Sequence, residues 1–408
     1  MKICLLTTSY PSLNDGTKGI FVKTFSEQLS SKDYPITIVT ESVKGAPDVE
    51  HHGNIIVKRF SYWYPKHKSI IGNEPIIKSI QRPFGKFHFF VFFKSFTWHA
   101  LKESKKNDLV QSHWFFPSGF AGALAHKFYK KPHVITVHAA DVFLFNRIPL
   151  FRTPLADFIV KHSDFITCQS NPVKQELLQL LSSQGKKSFE GKNEVIQMGI
   201  DTHRFVKKNR KVLREKYKIE QSTKVILSVG RLSEKKGLHY LFDAIPLVLK
   251  NHKNIQVLIV GGGELESSLK SYVQEKGLQK IVTFVGPKLG DELVDYYNLG
   301  DVCVFPSIIE QGDTEGLPSA VLESMSTGTP VIGSDVGGMK DGIFNDYNGY
   351  LVPQKSVEAL AQSLNKVFDD PQLLKKLSDN AFTYIREKVS WDITKEKFYA
   401  IYKRVHYG

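Results

Sequence analysis

The chain has 408 residues, of which 41% are apolar and 24% are charged. This length suggests two domains, and the apolar fraction is high enough for packed cores, so the composition excludes a disordered protein. The 55 Lys and Arg residues against 41 Asp and Glu residues give a formal charge of +14. That charge favours anionic partners: nucleic acid, anionic lipid or phosphorylated small molecules.

The three cysteines, Cys4, Cys168 and Cys303, each lie in an apolar run that is typical of a buried strand. Their odd number and the absence of CxxC spacing argue against a disulfide framework and a zinc site, and favour a reducing compartment. The apolar run at the start of the sequence is too short for a signal peptide. No stretch reaches the roughly 18 apolar residues that are needed to span a bilayer. We therefore expect a cytoplasmic protein.

Short apolar runs alternate with helical patterns along most of the chain. The runs are continuous, as expected for strands covered on both faces, and the alternation predicts parallel sheets with right-handed crossovers. The predicted strands are Lys2–Thr8, Ile36–Thr40, Asn54–Lys58, Leu109–Ser112, His133–Val137, Phe165–Gln169, Lys224–Val229, Ile255–Val260, Val282–Val285, Val302–Phe305 and Pro330–Gly333. Helices are predicted over Phe120–Tyr129, Leu238–Leu249, Glu266–Glu275, Leu317–Ser326 and from about Pro371 onward.

The alternation breaks between Gly199 and Ser222 and starts again afterwards. We predict two doubly wound parallel-sheet (Rossmann-like) α/β domains, residues 1–203 and 204–388, facing each other across a cleft. A helix over 389–408 is expected to return to the N-terminal domain. Because ligands of such sheets bind at the carboxyl ends of strands, the loops that follow the strands are the candidates for chemistry.

Two glycine-containing loops in the C-terminal half follow predicted strands. The first, Gly230–Gly237, carries Arg231 and Lys236, and two cations at a strand end can hold a diphosphate. Taken alone, it is also typical of a solvated basic turn. The second, Gly261–Glu264, includes Gly263 and allows close backbone approach to a ligand, although it lacks GxGxxG spacing.

An acid-rich loop lies between a predicted strand and the helix that begins near Leu317. It contains Glu310, Asp313 and Glu315, and Glu323 follows about two turns into the helix. The helix N-terminus suits an anion, and a neighbouring carboxylate can accept hydrogen bonds from sugar hydroxyls. An ordinary helix start with a solvated Glu323 would show the same pattern.

In the N-terminal half, His113 and His138 end two consecutive predicted strands. Because the carboxyl ends of parallel strands share one edge, we expect the two histidines to project toward the same side. The loop after the first strand contains Gly19, where backbone N–H groups can reach a phosphate or a sugar.

Together these motifs resemble the retaining glycosyltransferases of the GT-B fold, family 4, over nearly the whole chain. The resemblance is most specific at Gly230–Gly237, Gly261–Glu264 and Glu315–Glu323, and the subgroup most resembled builds polysaccharides and lipid-linked oligosaccharides in bacteria. One departure is that Gly16 and Gly19 are separated where many relatives carry paired glycines.

The resemblance implies roles for these residues. Arg231 and Lys236 would bind the donor diphosphate, Glu323 the ribose, and Glu315 with the backbone of Gly316, Leu317 and Pro318 the donor sugar. His138 would lie beside the reacting sugar, and Gly19 near the phosphates. We expect Gly263 to contact the donor and His113 and Asp141 to contact the acceptor.

These roles predict retaining, metal-independent transfer from a nucleotide sugar to a glycan or lipid-linked glycan in surface polysaccharide biosynthesis, with no cofactor. Three alternatives stay open at this point. Asp313-Thr314-Glu315 loosely resembles a carboxylate pair for Mn²⁺, which would make transfer metal-dependent. Doubly wound domains also occur in nucleotide-dependent oxidoreductases, and the charge of +14 would fit a non-enzymatic protein that binds a membrane or polyanion.

The stretch from His51 to Lys106 has eleven Lys and Arg residues and two Glu residues, or +9 of the +14, interleaved with aromatic residues. This composition is typical of an interfacial surface. We expect it to dock on the anionic inner face of the cytoplasmic membrane, where a lipid-linked acceptor would be presented. A core helix with solvated lysines is the alternative for Phe87–Trp98, and no nucleic-acid motif accompanies the stretch.

Overall fold

The computed structural model describes residues 1–11, 19–43, 45–63, 83–138, 142, 145, 152–310 and 316–408. The chain forms two compact units, one of Met1–Met198 with Lys395–Gly408 and the other of Gly199–Thr394. Each unit has its own sheet, so the predicted fold class of two parallel-sheet α/β domains is confirmed. The division after Met198 lies within the segment where the sequence alternation breaks off, near the boundary predicted after residue 203.

The sheet of the first unit contains eight strands: β1 (Ile3–Leu6), β2 (Ile36–Glu41), β3 (Val49–His52), β4 (Ile55–Phe60), β5 (Leu109–His113), β6 (His133–Val137), β7 (Phe165–Cys168) and β8 (Asn193–Val195). Their order is β3-β4-β2-β1-β5-β6-β7-β8, and among the strands that the structure describes only β3 and β4 pair in antiparallel fashion. The central strands β1, β5, β6 and β7 are buried along their whole length, as continuous runs predict.

Helices pack on this sheet: α1 (Ile20–Leu29), α2 (Gly85–Ser104), α3 (Ser118–Tyr129), α4 (Arg152–Lys161), α5 (Asn171–Leu180) and α6 (Ser183–Phe189). Phe92 and Phe96 of α2 are fully buried and share a core cluster with Cys4 and Phe60 of the sheet. The inner side of α2 is therefore core, as one of the two interpretations of this helix expects.

The sheet of the second unit contains six parallel strands: β9 (Lys224–Val229), β10 (Ile255–Val260), β11 (Val282–Gly286), β12 (Val302–Phe305), β13 (Val331–Ser334) and β14 (Gly349–Val352). Their order is β11-β10-β9-β12-β13-β14. The chain builds one half of this sheet outward from β9 and then crosses back to β12. The strand order therefore reverses between β9 and β12, where doubly wound sheets bind their ligands.

The helices of this part of the chain are α7 (Arg210–Lys216), α8 (Leu238–Val248), α9 (Glu266–Glu275), α10 (Gly290–Leu299), α11 (Ser319–Ser326), α12 (Val357–Asp369), α13 (Pro371–Tyr384) and α14 (Trp391–Tyr407). Helix α11 begins at Ser319, two residues later than predicted. The reason is that Pro318 disfavours helical geometry at the residue before it, Leu317. Within the segment Gly199–Ser222, where the alternation breaks, the chain forms α7, and Arg210 and Arg214 of this helix both pair with Asp301 at 2.8 Å.

The C-terminal part of α14 packs within the first unit. The Phe398 ring lies 4.9 Å from the Phe25 ring, and the Tyr402 hydroxyl donates to Gln111 Oε1 at 3.0 Å. Cys4, Cys168 and Cys303 are buried in β1, β7 and β12, as expected. In the described part of the chain, no helix combines the length and the apolarity needed to cross a membrane.

Candidate active site

The two predicted diphosphate-binding cations lie on the loop that follows β9, at the point where the strand order reverses. Arg231 is exposed, and its Nη2 lies 3.0 Å from the Glu264 carboxylate on the loop after β10. Lys236 is partly exposed and closes a single 3₁₀ turn, Glu234–Lys236. The structure thus brings Arg231, Lys236 and the Gly261–Glu264 turn to one edge of the sheet.

Glycines let the loops at this edge approach each other at backbone distance. Gly237 has φ +59°, and a Cβ there would meet the Pro306 carbonyl. Gly261 has φ +139°, and a Cβ there would meet the carbonyl of Gly230. At both positions only glycine combines the left-handed backbone with the close contact.

Backbone hydrogen bonds hold the three loops together. The Leu232 N–H donates to the Gly262 carbonyl at 3.0 Å, and the Ile308 N–H donates to the Lys235 carbonyl at 2.9 Å. Gly263 lies against the Leu232 backbone, where its lack of a side chain lets these two loops come into contact. Its predicted contact with the donor stays a prediction. The edge is preorganised before any ligand arrives.

A small cavity opens at this edge. Its lining includes Gly230, Arg231, Lys236, Phe305, Pro306 and Ser307. Ser307 is 1% exposed, and its hydroxyl has no hydrogen-bond partner among the described residues. A buried hydroxyl without a partner is uncommon and costs stability, so it marks a position where a ligand oxygen would fit. The sequence analysis assigned no role to Ser307.

The start of α11 is the second anion-binding feature. Its N-cap residue, Pro318, is extended and makes no side-chain capping hydrogen bond. Gly316 and Pro318 are partly exposed, and the Leu317 side chain packs toward Gly342. Glu315 and Asp313 lie outside the described residues, so their roles stay predictions.

Glu323 lies one turn into α11 rather than two, because the helix begins later than predicted. Its Oε2 accepts a hydrogen bond of 2.7 Å from the hydroxyl of Tyr297 on α10. Burial raises the pKa of Glu323, while hydrogen bonds from Tyr297 and Ser319 and the charge of Arg204 lower it. The interpretation of Glu323 as a solvated helix residue is therefore wrong.

In the first unit, the two predicted histidines meet. His113 ends β5, His138 follows the adjacent β6, and His113 Nδ1 lies 3.0 Å from His138 Nε2. Both rings are buried, with Gln169 hydrogen-bonded to His138. Burial lowers the pKa of His138 to about 4 and the pKa of His113 well below its ordinary range. Both imidazoles are thus neutral near pH 7, which suits positioning better than proton transfer.

Residues around this pair were missed by the sequence analysis. The Phe21 ring lies 4.8 Å from His138, and Gly19 places it there: with φ +69°, a Cβ on Gly19 would lie 2.5 Å from the Ser9 carbonyl oxygen. Trp114 has φ +71°, uncommon for a bulky residue and often found at functional sites, and its ring lies 5.6 Å from His138. A backbone angle leaves no signal in the sequence.

Two expectations are not settled by this geometry. Asp141, a predicted acceptor contact, lies outside the described residues. Among the residues that the structure describes, no group of three or more His, Cys, Asp and Glu is arranged to hold a metal ion. Because that search leaves out Asp313 and Glu315, both metal independence and its alternative stay predictions.

The outer side of α2 exposes aromatic residues next to lysines. We call the residues Phe87, Phe90, Lys94, Trp98 and Lys102 the α2 outer face. Its three aromatic side chains are 56%, 57% and 58% exposed in chain order. Lys94 Nζ lies 5.6 Å from the Phe90 ring centre, and Lys102 Nζ lies 5.0 Å from that of Trp98. The alternative that Phe87–Trp98 is a core helix is therefore wrong for the side of α2 that carries the α2 outer face.

Part of the basic charge assigned to this surface is buried instead. Arg59 is 5% exposed and donates to Glu50 Oε1 at 2.7 Å, and Lys58 pairs with the buried Glu103 at 2.7 Å. The sequence analysis counted both cations as surface charge. This is wrong for Arg59, which is buried, and only partly right for Lys58, whose charge is paired with Glu103. The neighbouring cations Lys66, Lys68, Lys78 and Arg82 lie outside the described residues.

Both halves of the chain match known family models. Residues 19–204 match the model described as Glycosyltransferase Family 4, and residues 209–384 match Glycosyl transferases group 1. Among curated proteins, an uncharacterized glycosyltransferase of Methanocaldococcus jannaschii is 26% identical over 99% of this chain and 98% of its own. The amylovoran biosynthesis glycosyltransferase AmsK of Erwinia amylovora is 30% identical over 65% and 63%, and the putative teichuronic acid biosynthesis glycosyltransferase TuaC of Bacillus subtilis is 25% identical over 95% and 94%.

Solved structures agree in fold. Sucrose-phosphate synthase from Thermosynechococcus elongatus has a TM-score of 0.77 at 22% identity, covering 99% of this chain and 98% of its own. HepE of Anabaena in complex with UDP has a TM-score of 0.73 at 16% identity, covering 99% and 100%. At these identities the likeness establishes the shared fold.

Proposed function

The chain belongs to the family 4 glycosyltransferases of GT-B fold, and we propose that it transfers a sugar from a nucleotide-sugar donor to a glycan or lipid-linked glycan in polysaccharide biosynthesis, with retention of anomeric configuration. Because both family matches are to glycosyltransferases, the oxidoreductase and non-enzymatic alternatives are set aside. The relatives named for amylovoran and teichuronic acid synthesis support a polysaccharide product.

One observation carries the donor assignment: Arg231, Lys236 and Ser307 line one cavity where the strand order reverses, and the Ser307 hydroxyl has no hydrogen-bond partner among the described residues. A guanidinium can bind phosphate oxygens bidentately, and an ammonium acts as a point charge. The start of α11, whose N-cap Pro318 makes no side-chain capping bond, adds the positive end of a helix dipole. That HepE binds UDP supports a nucleoside diphosphate as the group held here.

The reaction requires charge stabilisation rather than a strong base. The bond between the anomeric carbon and the diphosphate oxygen breaks, and the acceptor hydroxyl bonds to that carbon from the same face. The acceptor proton passes to the departing phosphate oxygen, so no protein base is needed. Two preorganised cations and a helix N-terminus stabilise the negative charge that develops on the diphosphate.

We further propose that transfer needs no metal ion, since Arg231 and Lys236 supply the charge that a divalent cation would otherwise supply. Glu315 would orient the donor sugar, as the resemblance implies, and His138 would contact the sugar as a neutral ring. His113 and Asp141 are proposed on the acceptor side.

The acceptor is proposed to be presented at a membrane, to which the α2 outer face binds. On α2, exposed Phe and Trp side chains lie beside Lys, and the other side of the helix is core. This arrangement is typical of an interfacial helix. Lys94 and Lys102 would meet anionic headgroups while the aromatic rings enter the interface. The enzyme would then act on the inner face of the cytoplasmic membrane.

Co-sedimentation with liposomes tests this docking. Each cation close to an anionic leaflet contributes about 1 kcal/mol, so Lys94→Ser with Lys102→Ser should weaken binding about 30-fold. The matched control is Lys186→Ser with Lys187→Ser, two exposed lysines on α6 of the same unit. Equal losses in both double variants, or equal recovery on neutral and anionic liposomes, would leave a soluble acceptor as the better proposal.

A panel of UDP- and GDP-sugars tests the donor assignment. A donor present at 100 times its Kd stabilises the folded state by about 2.7 kcal/mol, which is readily seen as a rise in Tm. The panel should contain at least one such donor, and that donor should also support release of nucleoside diphosphate with acceptor extract. If no nucleotide sugar raises Tm, the assignment fails.

A further inference from the structure

Tyr297 lies behind Glu323, away from solvent. Its side chain is fully buried on α10, and its hydroxyl is 2.7 Å from Glu323 Oε2 on α11. Glu323 is itself only partly exposed. The tyrosine therefore touches no substrate, but it touches the carboxylate that is proposed to bind the donor.

The hydrogen-bonding capacity of Glu323 divides between the protein and a ligand. An ionised carboxylate offers about four acceptor positions on its two oxygens. Tyr297 occupies one, and Ser319, one turn earlier on α11, also hydrogen-bonds to the carboxylate. The described residues thus leave capacity for two further donors, which matches the two adjacent hydroxyls of a ribose.

We propose that Tyr297 is a positioning residue, which fixes the Glu323 carboxylate so that its free acceptor positions receive both ribose hydroxyls of the donor nucleotide. This inference rests on the proposed function, because it presumes a nucleotide at this site. Side chains on a helix lean toward its N-terminus, so a carboxylate held from behind by Tyr297 is directed to the start of α11, where the diphosphate is proposed to bind.

The surroundings of Glu323 give this hydrogen bond a titration signature. The groups that face the carboxylate are Tyr297 on α10, Ser319 on its own helix, Cys303 on β12 and the charge of Arg204. Burial raises the pKa of Tyr297 well above its ordinary value, so the phenol stays a donor throughout the working range. Since the Tyr297 hydrogen bond favours the ionised carboxylate, removing it should raise the pKa of Glu323 further.

The test compares Tyr297→Phe with the wild type for binding of UDP and GDP and of their 2′,3′-dideoxy analogues between pH 4.5 and 8. The phenylalanine keeps the ring packing and removes only the hydroxyl. We expect about 10-fold weaker binding of the better ribose nucleotide and unchanged binding of its dideoxy analogue. As pH falls, Tyr297→Phe should lose ribose-dependent affinity at a higher pH than the wild type. Because the dideoxy analogue carries the same diphosphate, comparing the two nucleotides at each pH removes the effect of diphosphate protonation on affinity.

Tyr296→Phe is the matched control, because Tyr296 is also buried on α10 but packs against Tyr217, with ring centres 5.2 Å apart. It should leave both nucleotides unaffected. If Tyr297→Phe does not fold, Glu323→Gln provides the second test. The glutamine keeps the shape of the glutamate side chain but carries no charge. It should weaken ribose binding and abolish the pH dependence of ribose-dependent affinity.

Four outcomes overturn the inference, and the last of them overturns the proposed function as well. Equal weakening of ribose and dideoxy nucleotides in Tyr297→Phe would mean a purely structural role. Unchanged ribose binding and an unchanged pH profile would remove Tyr297 from the site. Ribose binding by Glu323→Gln at the wild-type level would show that the Glu323 carboxylate does not bind the ribose. The proposed function would still stand in that case, provided that the wild type binds nucleotides. If the wild type binds no nucleotide, the proposed function fails with it.

Discussion

Removal of the Lys236 ammonium is the sharpest perturbation of the proposed donor site. The lysine closes a 3₁₀ turn whose loop is tied by backbone bonds to the loops after β10 and β12, so Lys236→Ala leaves that framework in place. At a separation of about 4 Å and an effective dielectric constant of about 20, one unit charge stabilises another by about 4 kcal/mol. Because about 1.4 kcal/mol is a factor of ten in rate, we expect kcat to fall about 1000-fold.

The assay is release of nucleoside diphosphate in the presence of donor and acceptor, at saturating donor. Lys253→Ala is the control: Lys253 is equally a lysine of the second unit, but it is exposed and precedes β10, at the amino end of the sheet. It should keep full activity, and both variants should unfold within about 0.5 kcal/mol of the wild type. A Lys236→Ala enzyme that turns over within a factor of five of the wild type would refute the reasoning.

Three further predictions follow from the same geometry. Activity should survive EDTA, and activity that is lost on chelation and restored by Mn²⁺ or Mg²⁺ would instead favour the metal-dependent alternative with Asp313 as a ligand. Gly237→Ala should lower the free energy of unfolding by about 1–3 kcal/mol, because the residue has φ +59° and faces the Pro306 carbonyl; an unchanged denaturant midpoint would contradict this. His133 and His138 have a pKa of about 4 in the fold against an ordinary 6.5, so the unfolded chain binds protons first and stability should fall as pH drops from about 6.5 to about 4. Denaturation midpoints should record this loss, and His133→Gln should make it shallower; a flat profile in the wild type would exclude it.

Most of the strands predicted from continuous apolar runs are buried inside the sheets, and β11, which is partly exposed at an edge, is the exception among the described strands. The three strands that the sequence analysis missed, β3, β8 and β14, each lie at an edge. An edge strand can be covered less completely, so it does not always need a continuous apolar run, and this applies to β3 and β8 but not to β14, which is largely buried. Val49–His52 is largely exposed and polar, and Asn193–Val195 has only three residues. Pairing with a neighbour, rather than local composition, makes these segments strands.

Within the candidate site, motif spacing was sufficient to propose Arg231, Lys236 and Glu323, whose roles stay predictions. Strand order was sufficient to predict that His113 and His138 project toward the same side, but not that their rings lie at hydrogen-bond distance. Motif spacing could not find Tyr297, which is 26 residues from Glu323 and reaches it only through the packing of α10 beside α11.

Charge counting failed in a similar way for the membrane surface. Composition cannot separate a buried Arg59, bonded to Glu50 and to the backbone of Tyr10 and Pro11, from an exposed lysine. Among the described residues the structure makes that separation: it removes Arg59 from the surface charge and shows Lys94 and Lys102 exposed beside aromatic rings on the α2 outer face.

The central claim is that the chain moves a sugar from a nucleotide to an acceptor with its anomeric configuration retained. Proton NMR of the running reaction, with the donor that raises Tm most and a purified acceptor, tests it directly. We expect nucleoside diphosphate and glycosylated acceptor to appear in equal amounts, with the first-formed linkage in the donor's anomeric configuration. A product of inverted configuration, or donor consumption without any glycosylated acceptor, would contradict the claim.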